Sequence, residues 1–373
     1  MIGDPVALLS FMFLVVAFAR FLEGRFVFVQ KISSAVVCTL LGMLLANIGL
    51  IPHDSTVHAG VREYAIPYAV VLVILSSRLK DLRKAGTPLL LGFFLAGSGS
   101  FVGAVVASVV FQGSLGPETW KLGGTFAGAF WGGGMNFAAV GQGLEMTPSL
   151  FAAASVADNL STVPWMLAQV GLYRLLAPYY RGGRGRVESS SEDEDPRKMW
   201  SEATVSIMDL AILAALPLGF LWVAQVSGAS GPAQVLCLTT LALVLAQVPA
   251  VHRLRGTAVL SYFALHLFFI VIGAMSVLSE VAHAGASLFA FMIAIIAVHA
   301  LVVYGVGFFL HFDLPTLTIA SQAAVGGPGS ALALGMAMKW GALVTPGIIV
   351  GIFGYAVGNY LGFAAAFLLR QIL

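Results

Sequence analysis

The stretch Phe130-Trp131-Gly132-Gly133-Gly134-Met135-Asn136 interrupts a long apolar segment, and it indicates how the whole chain folds. A second interruption, Val325-Gly326-Gly327-Pro328-Gly329-Ser330, lies in a later apolar segment. Neither run sustains a regular helix, because Gly and Pro are the poorest helix formers. In hydrocarbon, an open backbone is tolerated only where protein or water covers it. We therefore expect two helix breaks at membrane depth. The alternative is that these glycines only permit close helix packing.

The composition is that of an integral membrane protein. Of the 373 residues, 59% are hydrophobic and 10% are charged, whereas soluble domains carry about 25% charged residues. The net charge of +2 gives no reason to expect nucleic-acid binding. Two cysteines, Cys38 and Cys237, cannot build a disulfide framework or a CxxC metal site. Residues 4–22 lack the features of a cleaved signal peptide and are predicted to be a retained helix.

Twelve apolar runs of 14 to 32 residues are candidate membrane segments, and a membrane helix needs roughly 20 apolar residues. The predicted segments are 4–22, 32–51, 64–77, 87–111, 119–145, 147–178, 203–226, 232–250, 256–278, 287–310, 314–340 and 341–372. A charged break at 179–201 separates the two sets of six and is predicted to be a solvated linker. The chain thus divides into a first repeat at 1–178, the linker at 179–201 and a second repeat at 202–373.

The two halves resemble one another. Cys38 and Cys237 occupy matching places in the second segment of each half. In the fifth segments, the glycines from Gly132 to Gly141 match those from Gly326 to Gly335. Each match is weak alone, but their common order along half the chain predicts a duplicated architecture.

The distribution of Lys and Arg predicts the topology. If the N-terminus is outside and each Gly-rich fifth segment returns to the side it came from, 16 of the 19 basic residues lie inside. If both fifth segments crossed fully, this bias would nearly vanish. We therefore expect five crossings and one re-entrant segment per half, although a broken crossing helix paired with a different re-entrant piece satisfies the same count. An odd number of crossings makes the repeats inverted, as in many secondary transporters.

The residues around the two breaks are candidate ligands. Backbone groups and half-helix ends at such breaks can bind ions and small anions. The predicted substrate-binding residues are Gly133, Gly134, Asn136, Gly327, Gly329 and Ser330. Thr125 and Gln322 offer neutral oxygens suited to a hard cation. A buried Thr or Ser often bonds only the backbone of its own helix. For Thr125 and Ser321, we give this structural role the same weight as a role in ligand binding.

Asp158 is an acid in the middle of a long apolar span. A membrane-embedded carboxylate is costly, and its presence indicates a function. We predict that Asp158 ligates Na⁺ or carries a proton, with Asn159 beside it; the alternative is a structural salt bridge. With a gap after Lys339, Asn159 aligns with Asn359, which joins the predicted ion-coupling residues. No cofactor is expected apart from Na⁺ as a coupling ion.

The chain lacks motifs of soluble enzymes and of ATP-driven transport. It contains no Walker loop, dinucleotide fingerprint, GxSxG elbow or HExxH motif. His266 and His299 lie within apolar segments, where packing or hydrogen bonding is the favoured role. An intramembrane enzyme that uses Asp158 with either histidine is a remote alternative, so we expect no enzyme activity.

The quoted motifs resemble those of the membrane family called domain of unknown function 819. The resemblance covers Trp131 to Val140, Ser155 to Asn159 and Val325 to Pro328, and it continues through Leu343–Gly347 and Gly354–Gly362. That family is similar to the wider group of cation:proton antiporters and anion transporters. The resemblance implies an inverted-repeat, all-helical fold with two helix breaks and elevator-type, ion-coupled transport. The Gly134-Met135-Asn136 run departs from the small polar residue that many members carry there.

These observations predict a secondary transporter driven by Na⁺ or H⁺ that moves a small anionic or zwitterionic solute. A Na⁺/H⁺-type antiporter without an organic substrate is the main alternative, and a passive channel is another. We expect a multi-pass protein of the bacterial inner membrane, with the N-terminus outside and the linker in the cytoplasm. Its partners are the lipid bilayer, the solute and the coupling ion. The sequence leaves open whether the chain forms a homodimer.

Overall fold

The computed structural model describes residues 1–180 and 205–373, and every regular element among them is helical. Nearly all of the predicted linker, 179–201, lies outside these residues. The helices of the first half are α1 (Pro5–Arg25), α2 (Val27–Ile32), α3 (Ser34–Asn47), α4 (Thr56–Ile74), α5 (Leu82–Ala85), α6 (Thr87–Leu115), α7 (Thr119–Ala129), α8 (Gly134–Gly143) and α9 (Pro148–Leu176). Those of the second half are α10 (Ile207–Val226), α11 (Gly231–Leu245), α12 (Thr257–Ala274), α13 (Leu278–Ala300), α14 (Gly307–Phe309), α15 (Leu314–Ala337) and α16 (Gly341–Ile372).

Seven helical segments in the described part of the chain are long and apolar enough to cross a membrane. They are α1, α4, α6, α10, α12, α16 and the continuous segment Leu278–Phe309, in which a π-helical turn joins α13 to α14. Helices α3 and α11 are apolar but shorter, at 14 and 15 residues. A chain with this many apolar helices is a multi-pass membrane protein.

Two helices begin earlier than the apolar runs indicate. Helix α4 starts at Thr56, where the Ser55 hydroxyl accepts the N–H of His58 at 3.1 Å. Its first turns carry exposed Arg62 and Glu63. Helix α13 likewise starts at Leu278, and exposed polar residues occupy its first turns. The hydropathy pattern misses these turns because they extend the helices with polar residues beyond the apolar segment.

The helices pack into two groups. The first, which we call the α12 group, contains α1, α3, α4, α10, α11 and α12. The second, the hairpin group, contains α6, α7, α8, α9, α13, α15 and α16. Contacts within each group are far more extensive than those between them. The hairpin group contains both glycine breaks and Asp158, and therefore it holds most of the predicted site.

Small residues bring the main chains close together inside the α12 group. A Cβ added to Gly42 of α3 would lie 2.2 Å from the carbonyl oxygen of Ile270 on α12. A Cβ on Gly273 of α12 would lie 2.0 Å from the carbonyl oxygen of Thr39 on α3. Both distances are shorter than van der Waals contact, so only glycine fits. Close approach through small residues is the usual way in which helices associate in lipid, where no hydrophobic effect drives packing.

Candidate functional site

The first glycine break lies at the tip of a helical hairpin. Glu118, just before α7, accepts hydrogen bonds from the backbone N–H and the hydroxyl of Thr147, at 3.1 and 2.9 Å. Lys121 forms an ion pair with Glu118 and donates to the carbonyl of Glu145 at 2.9 Å. The start of α7 therefore meets the end of α8. The segment enters the helix bundle and returns to the side from which it came.

The pKa of the Glu118 carboxyl group is consistent with a role in joining the two ends of the hairpin. Burial alone would raise the pKa of its carboxyl group. The hydrogen bonds from Lys121 and from Thr147 outweigh that effect and bring the pKa below its ordinary value. The carboxylate is thus the stable form in the folded protein, and it holds the two ends of the hairpin together.

The second break lies at the tip of a similar hairpin within α15. Near the start of α15, Gln169 of α9 donates to the carbonyl of Thr318 at 3.2 Å. Just after the end of α15, the ring of Trp340 packs on Tyr173 of α9, with centroids 5.0 Å apart. Residues 169 and 173 are one helical turn apart, so both ends of α15 lie against the same end of α9.

The two breaks touch each other through their main chains. Gly133 has φ 101° and ψ −162°, and Gly327 has φ 75° and ψ −172°. These are closely similar conformations in a region that is essentially restricted to glycine. A Cβ added to Gly327 would lie 2.5 Å from the carbonyl oxygen of Gly132. The tips of the hairpins therefore cross, and two second half-helices begin at the crossing.

Asn136 and Ser330 stabilise the two breaks in equivalent ways. Each lies three residues after its break glycine and donates to a carbonyl eight residues earlier in the chain. Asn136 Nδ2 donates to the carbonyl of Gly128 at 3.4 Å, and Ser330 Oγ donates to that of Gln322 at 3.2 Å. Asn136 also donates to the carbonyl of Gly354 on α16 at 2.8 Å. Both side chains thus satisfy carbonyls that the interrupted helices leave exposed.

Asp158 lies beside the second break. Trp165 of α9 donates to Ser321 in the first half of α15 at 3.3 Å. One turn earlier on α9, the methyl group of Thr162 is 2.7 Å from the Cβ position of Gly326. Asp158 precedes Thr162 by four residues and so lies on the same helix face, about 5–6 Å further along. Asp158 is only 5% exposed.

Several buried polar atoms in the hairpin group have no hydrogen-bond partner among the described residues. They include Oδ1 of Asp158, Oγ of Ser155, Oδ1 of Asn359, Nε1 of Trp131 and both amide atoms of Gln322. Leaving one buried polar group unpaired costs about 1–3 kcal/mol. A cluster of such groups is therefore costly unless it binds a ligand, an ion or water.

The other predicted ligands differ in what they offer. The Thr125 hydroxyl donates to the carbonyl of Lys121 in its own helix at 2.8 Å, which is the alternative considered from sequence. Asn159 Nδ2 likewise donates to the carbonyl of Ser155 at 2.9 Å. A Cβ on Gly134 or Gly329 would meet nothing within 4 Å, so both glycines border open space. Whether any of these residues binds a ligand stays a prediction.

Sequence patterns missed three groups on the helices that surround the crossing. Ser155 lies one turn before Asp158, and Thr162 lies one turn after it. The Tyr355 hydroxyl lies 3.8 Å from the Cβ position of Gly327 and 3.4 Å from the Tyr262 hydroxyl. The helical spacing of Ser155 and Thr162 around Asp158 was a usable signal. Tyr355 gave none, because its position depends on how α16 packs across α15.

The two histidines that lie within apolar segments, His266 and His299, are hydrogen bonded, as expected from sequence. His299 Nδ1 is 2.8 Å from the Ser100 hydroxyl, and its Nε2 is 2.7 Å from the Ser321 hydroxyl. His266 lies in the α12 group, bonded to Ser34 at 2.8 Å. Across the described residues, no three His, Cys, Asp or Glu side chains cluster as metal ligands would. A cation at the crossing would therefore depend on Asp158 and neutral oxygens.

Comparison with known proteins gives the family. The profile of a family described as "Protein of unknown function (DUF819)" matches residues 10–372. The chain belongs to this family. The chain is also similar to the "Uncharacterized membrane protein YjcL" of Bacillus subtilis (strain 168), at 28% identity over an alignment of 363 positions that covers 91% of each chain. The predicted family is thus confirmed, and the wider superfamily stays a prediction. Neither description names a substrate.

Proposed function

We propose that this DUF819 chain is an ion-coupled secondary transporter of a small anionic or zwitterionic solute. The observation that carries the proposal is the crossing of two broken hairpins beside a buried, unpaired carboxylate. Static scaffolds rarely retain such a costly arrangement, whereas broken helices that meet in mid-membrane are a common way to build a transport site. Transport requires no chemical conversion of the solute, so enzyme activity forms no part of the proposal.

The main chain at the crossing supports an acidic solute. Each second half-helix begins there, and the N-terminal end of a helix carries a partial positive charge that favours anions. Gly133, Gly134, Gly327 and Gly329 would bring backbone N–H groups to the solute. Asn136 and Ser330 would hold that backbone in place, since Asn136 donates to the carbonyl of Gly354 on α16 and Ser330 donates to that of Gly327.

Unpaired polar atoms on three helices of the hairpin group support a coupling-ion site. Oδ1 of Asp158 and the amide of Gln322 are unpaired, and on α16 Asn359 has an unpaired Oδ1 while donating to Thr239 at 3.0 Å. Oxygen ligands of this kind suit Na⁺, and a buried carboxyl group can equally carry H⁺. We propose that one of these two ions drives transport. Asn159 completes the proposed site on α9.

The similar hairpins support the inverted-repeat, elevator-type mechanism. Gly133 and Gly327 are separated by the same interval as Asn136 and Ser330. The first residues of the chain and the segment before α4 lie on the same side of the helix bundle, because the N–H of Ile2 donates to the carbonyl oxygen of Leu50 at 2.7 Å. We propose that the hairpin group moves against the α12 group and exposes the crossing alternately to each side. The inner-membrane location, the outside N-terminus and a homodimer are further parts of this proposal.

The test is uptake by proteoliposomes under an imposed Na⁺ or H⁺ gradient, with a panel of small carboxylic and amino acids. We expect uptake of one class of solute, and we expect Asp158→Asn to abolish its dependence on the ion gradient. The matched control is Asp54→Asn, which changes an exposed acid outside the hairpin group. Unchanged gradient-driven uptake by Asp158→Asn would contradict the role proposed for this carboxylate.

The second candidate is a Na⁺/H⁺-type antiporter without an organic substrate. The unpaired carboxyl oxygen of Asp158 favours it, because one acid that binds Na⁺ and H⁺ in turn is sufficient for exchange. A pH-sensitive dye inside the same vesicles separates the candidates. Na⁺-dependent proton movement without any solute would support the antiporter. Proton or Na⁺ movement only with solute would support the symporter.

A further inference from the structure

A hydrogen-bonded chain of three side chains joins three helices of the α12 group, away from the crossing. Glu23 near the end of α1 lies 2.9 Å, through Oε2, from the hydroxyl of Ser34, the first residue of α3. The same hydroxyl is 2.8 Å from Nε2 of His266 on α12. His266 Nδ1 is 2.6 Å from the carbonyl oxygen of Tyr262. Ser34 and His266 are buried, whereas the Glu23 side chain is 21% exposed.

These contacts require one more proton than Ser34, a neutral His266 and an ionised Glu23 supply together. The three short contacts need three hydrogens between their heavy atoms. A neutral imidazole supplies one, which faces the Tyr262 carbonyl because a carbonyl can only accept. Ser34 supplies one, and an ionised Glu23 supplies none. Without a further proton, Glu23 and His266 Nε2 compete for the single hydroxyl hydrogen of Ser34.

The surroundings determine which residue receives that proton. Arg20 on α1 forms an ion pair with Glu23 and donates to its Oε2, so this oxygen is a hydrogen-bond acceptor. The Cys38 thiol lies one turn beyond Ser34 on α3. Other titratable groups lie on helices packed against α12. Of these, Tyr68 of α4 and Asp158 of α9 make no hydrogen bond to Glu23, Ser34 or His266. The imidazole is the remaining acceptor, and histidine exchanges protons near neutral pH.

We propose that Glu23, Ser34 and His266 form a proton-binding site within the α12 group. A proton from water reaches His266 Nε2 past the partly exposed Glu23. The new Nε2–H then donates to Ser34 Oγ, and the Ser34 hydroxyl turns to donate to Glu23. No covalent bond between heavy atoms changes. The occupied site has all three hydrogen bonds, and the empty site lacks one.

This site is connected to the crossing through Tyr262. The Tyr262 carbonyl accepts from His266, and the Tyr262 hydroxyl lies 3.4 Å from that of Tyr355 on α16. The Tyr355 hydroxyl borders the break at Gly327. Loss of the proton would loosen one of the polar contacts between the α12 group and the hairpin group. This consequence rests on the proposed transport function, whereas the binding of the proton does not.

The test is a pH titration by NMR of the full chain in micelles with ¹⁵N-labelled histidine. The His266 resonances are assigned as those that disappear in His266→Gln. We expect the wild-type Nε2 signal to change from the protonated to the unprotonated value as the pH rises between roughly 5 and 8. His283→Gln, which changes an exposed histidine, should leave this transition unchanged.

Glu23→Gln is the decisive variant. The amide N–H of the new glutamine can donate to Ser34, whose hydroxyl then donates to His266 Nε2. All three hydrogen bonds are therefore made without an added proton. We expect His266 of this variant to keep the neutral, Nδ1-protonated signal over the whole range. A wild-type His266 that does not titrate, or a Glu23→Gln chain that titrates like wild type, would overturn the proposal.

The outcome is independent of transport. If His266 titrates as expected but the vesicles take up no solute or ion, the proton site stands and the proposed transport function fails. If uptake is found and His266 does not titrate, the transport function stands and the proton site fails. Where both are found, Glu23→Gln should change the pH dependence of uptake, while Asp158→Asn removes coupling to the gradient.

Discussion

Gly327 holds a backbone conformation that residues with a Cβ adopt only under strain. Its φ of 75° with ψ near −172° is combined with a main-chain contact to Gly132. Gly329 is two residues away, and its surroundings are open. The same short sequence thus contains one glycine that the crossing requires and one that it does not, which makes a direct comparison of the two possible.

Gly327→Ala should destabilise the protein strongly. We expect a loss of about 1–3 kcal/mol from backbone strain alone, and a further loss because the added methyl group overlaps the Gly132 carbonyl. Gly329→Ala should change stability by less than about 0.5 kcal/mol. Thermal unfolding of both variants in the same detergent is the measurement. Equal melting temperatures for the two variants would contradict the crossing geometry.

The α7–α8 hairpin depends on a clamp at its open end. Glu118 connects the start of α7 to Thr147, at the start of α9, and pairs with Lys121. The clamp keeps both arms of the hairpin on one side, so its tip reaches the crossing. In α15, contacts with the end of α9 serve the same purpose without an acid.

Glu118→Gln should weaken the clamp and change how stability depends on pH. Because the folded-state pKa of Glu118 is lowered, its contribution is fully present above the ordinary value of 4.5 and is lost as the pH falls through the lower folded value. We expect the variant to lose about 1–3 kcal/mol near neutral pH and to show a smaller loss of stability in acid. Melting temperatures across this pH range measure both effects.

Glu145→Gln is the control for this prediction. Glu145 lies in the loop between α8 and α9, and its exposed side chain makes no hydrogen bond or ion pair to any described residue. Its variant should melt like the wild type at each pH. If Glu118→Gln and Glu145→Gln behave alike, the clamp has no role in stability.

The α12 group and the hairpin group meet through few polar contacts. The hydroxyls of Thr240 on α11 and Tyr360 on α16 are 2.7 Å apart. The Ser77 hydroxyl donates to the Ile352 carbonyl at 3.1 Å. Interfaces of this kind can separate and form again at modest cost, in contrast to the glycine-packed contacts inside each group. The arrangement suits a protein in which one group moves past the other.

A thiol cross-linker placed between the groups should stop transport. With Cys237→Ala as background, we expect a short bifunctional reagent to join Thr240→Cys to Tyr360→Cys and to abolish uptake. The control pair is Tyr173→Cys with Trp340→Cys, which lies entirely within the hairpin group. Its cross-link should leave uptake intact. Full uptake by the Thr240–Tyr360 cross-linked protein would show that the two groups do not move against each other.

The sequence predicted the helical membrane class and the positions of the breaks. Runs of Gly and Pro identify a break directly, since no other composition disfavours a helix so strongly. The distribution of basic residues also anticipated hairpins that return to their starting side. The first inference uses a short stretch of sequence, and the second uses a count of basic residues along the chain.

The partners of each side chain could not be predicted in the same way. Thr125 was a candidate ligand, yet its hydroxyl bonds the carbonyl of Lys121. Tyr355 and the Glu23–Ser34–His266 chain were not expected, because they unite residues far apart in sequence. Such contacts depend on how helices rotate and cross, and apolar spacing around a nearly uniformly hydrophobic helix does not determine that rotation.

The hairpins cross through the backbone of glycine residues. A substitution there can therefore change the chemical groups at the crossing very little. Every amino acid has the same N–H and C=O groups, and here almost any replacement for Gly327 removes the geometry instead of adjusting it. If the proposed transport function holds, differences between relatives in the transported solute should therefore arise on the surrounding helices, at positions such as Ser155, Thr162 and Tyr355. The glycine backbone at the crossing would then be common to the relatives, and the side chains around it would differ between them.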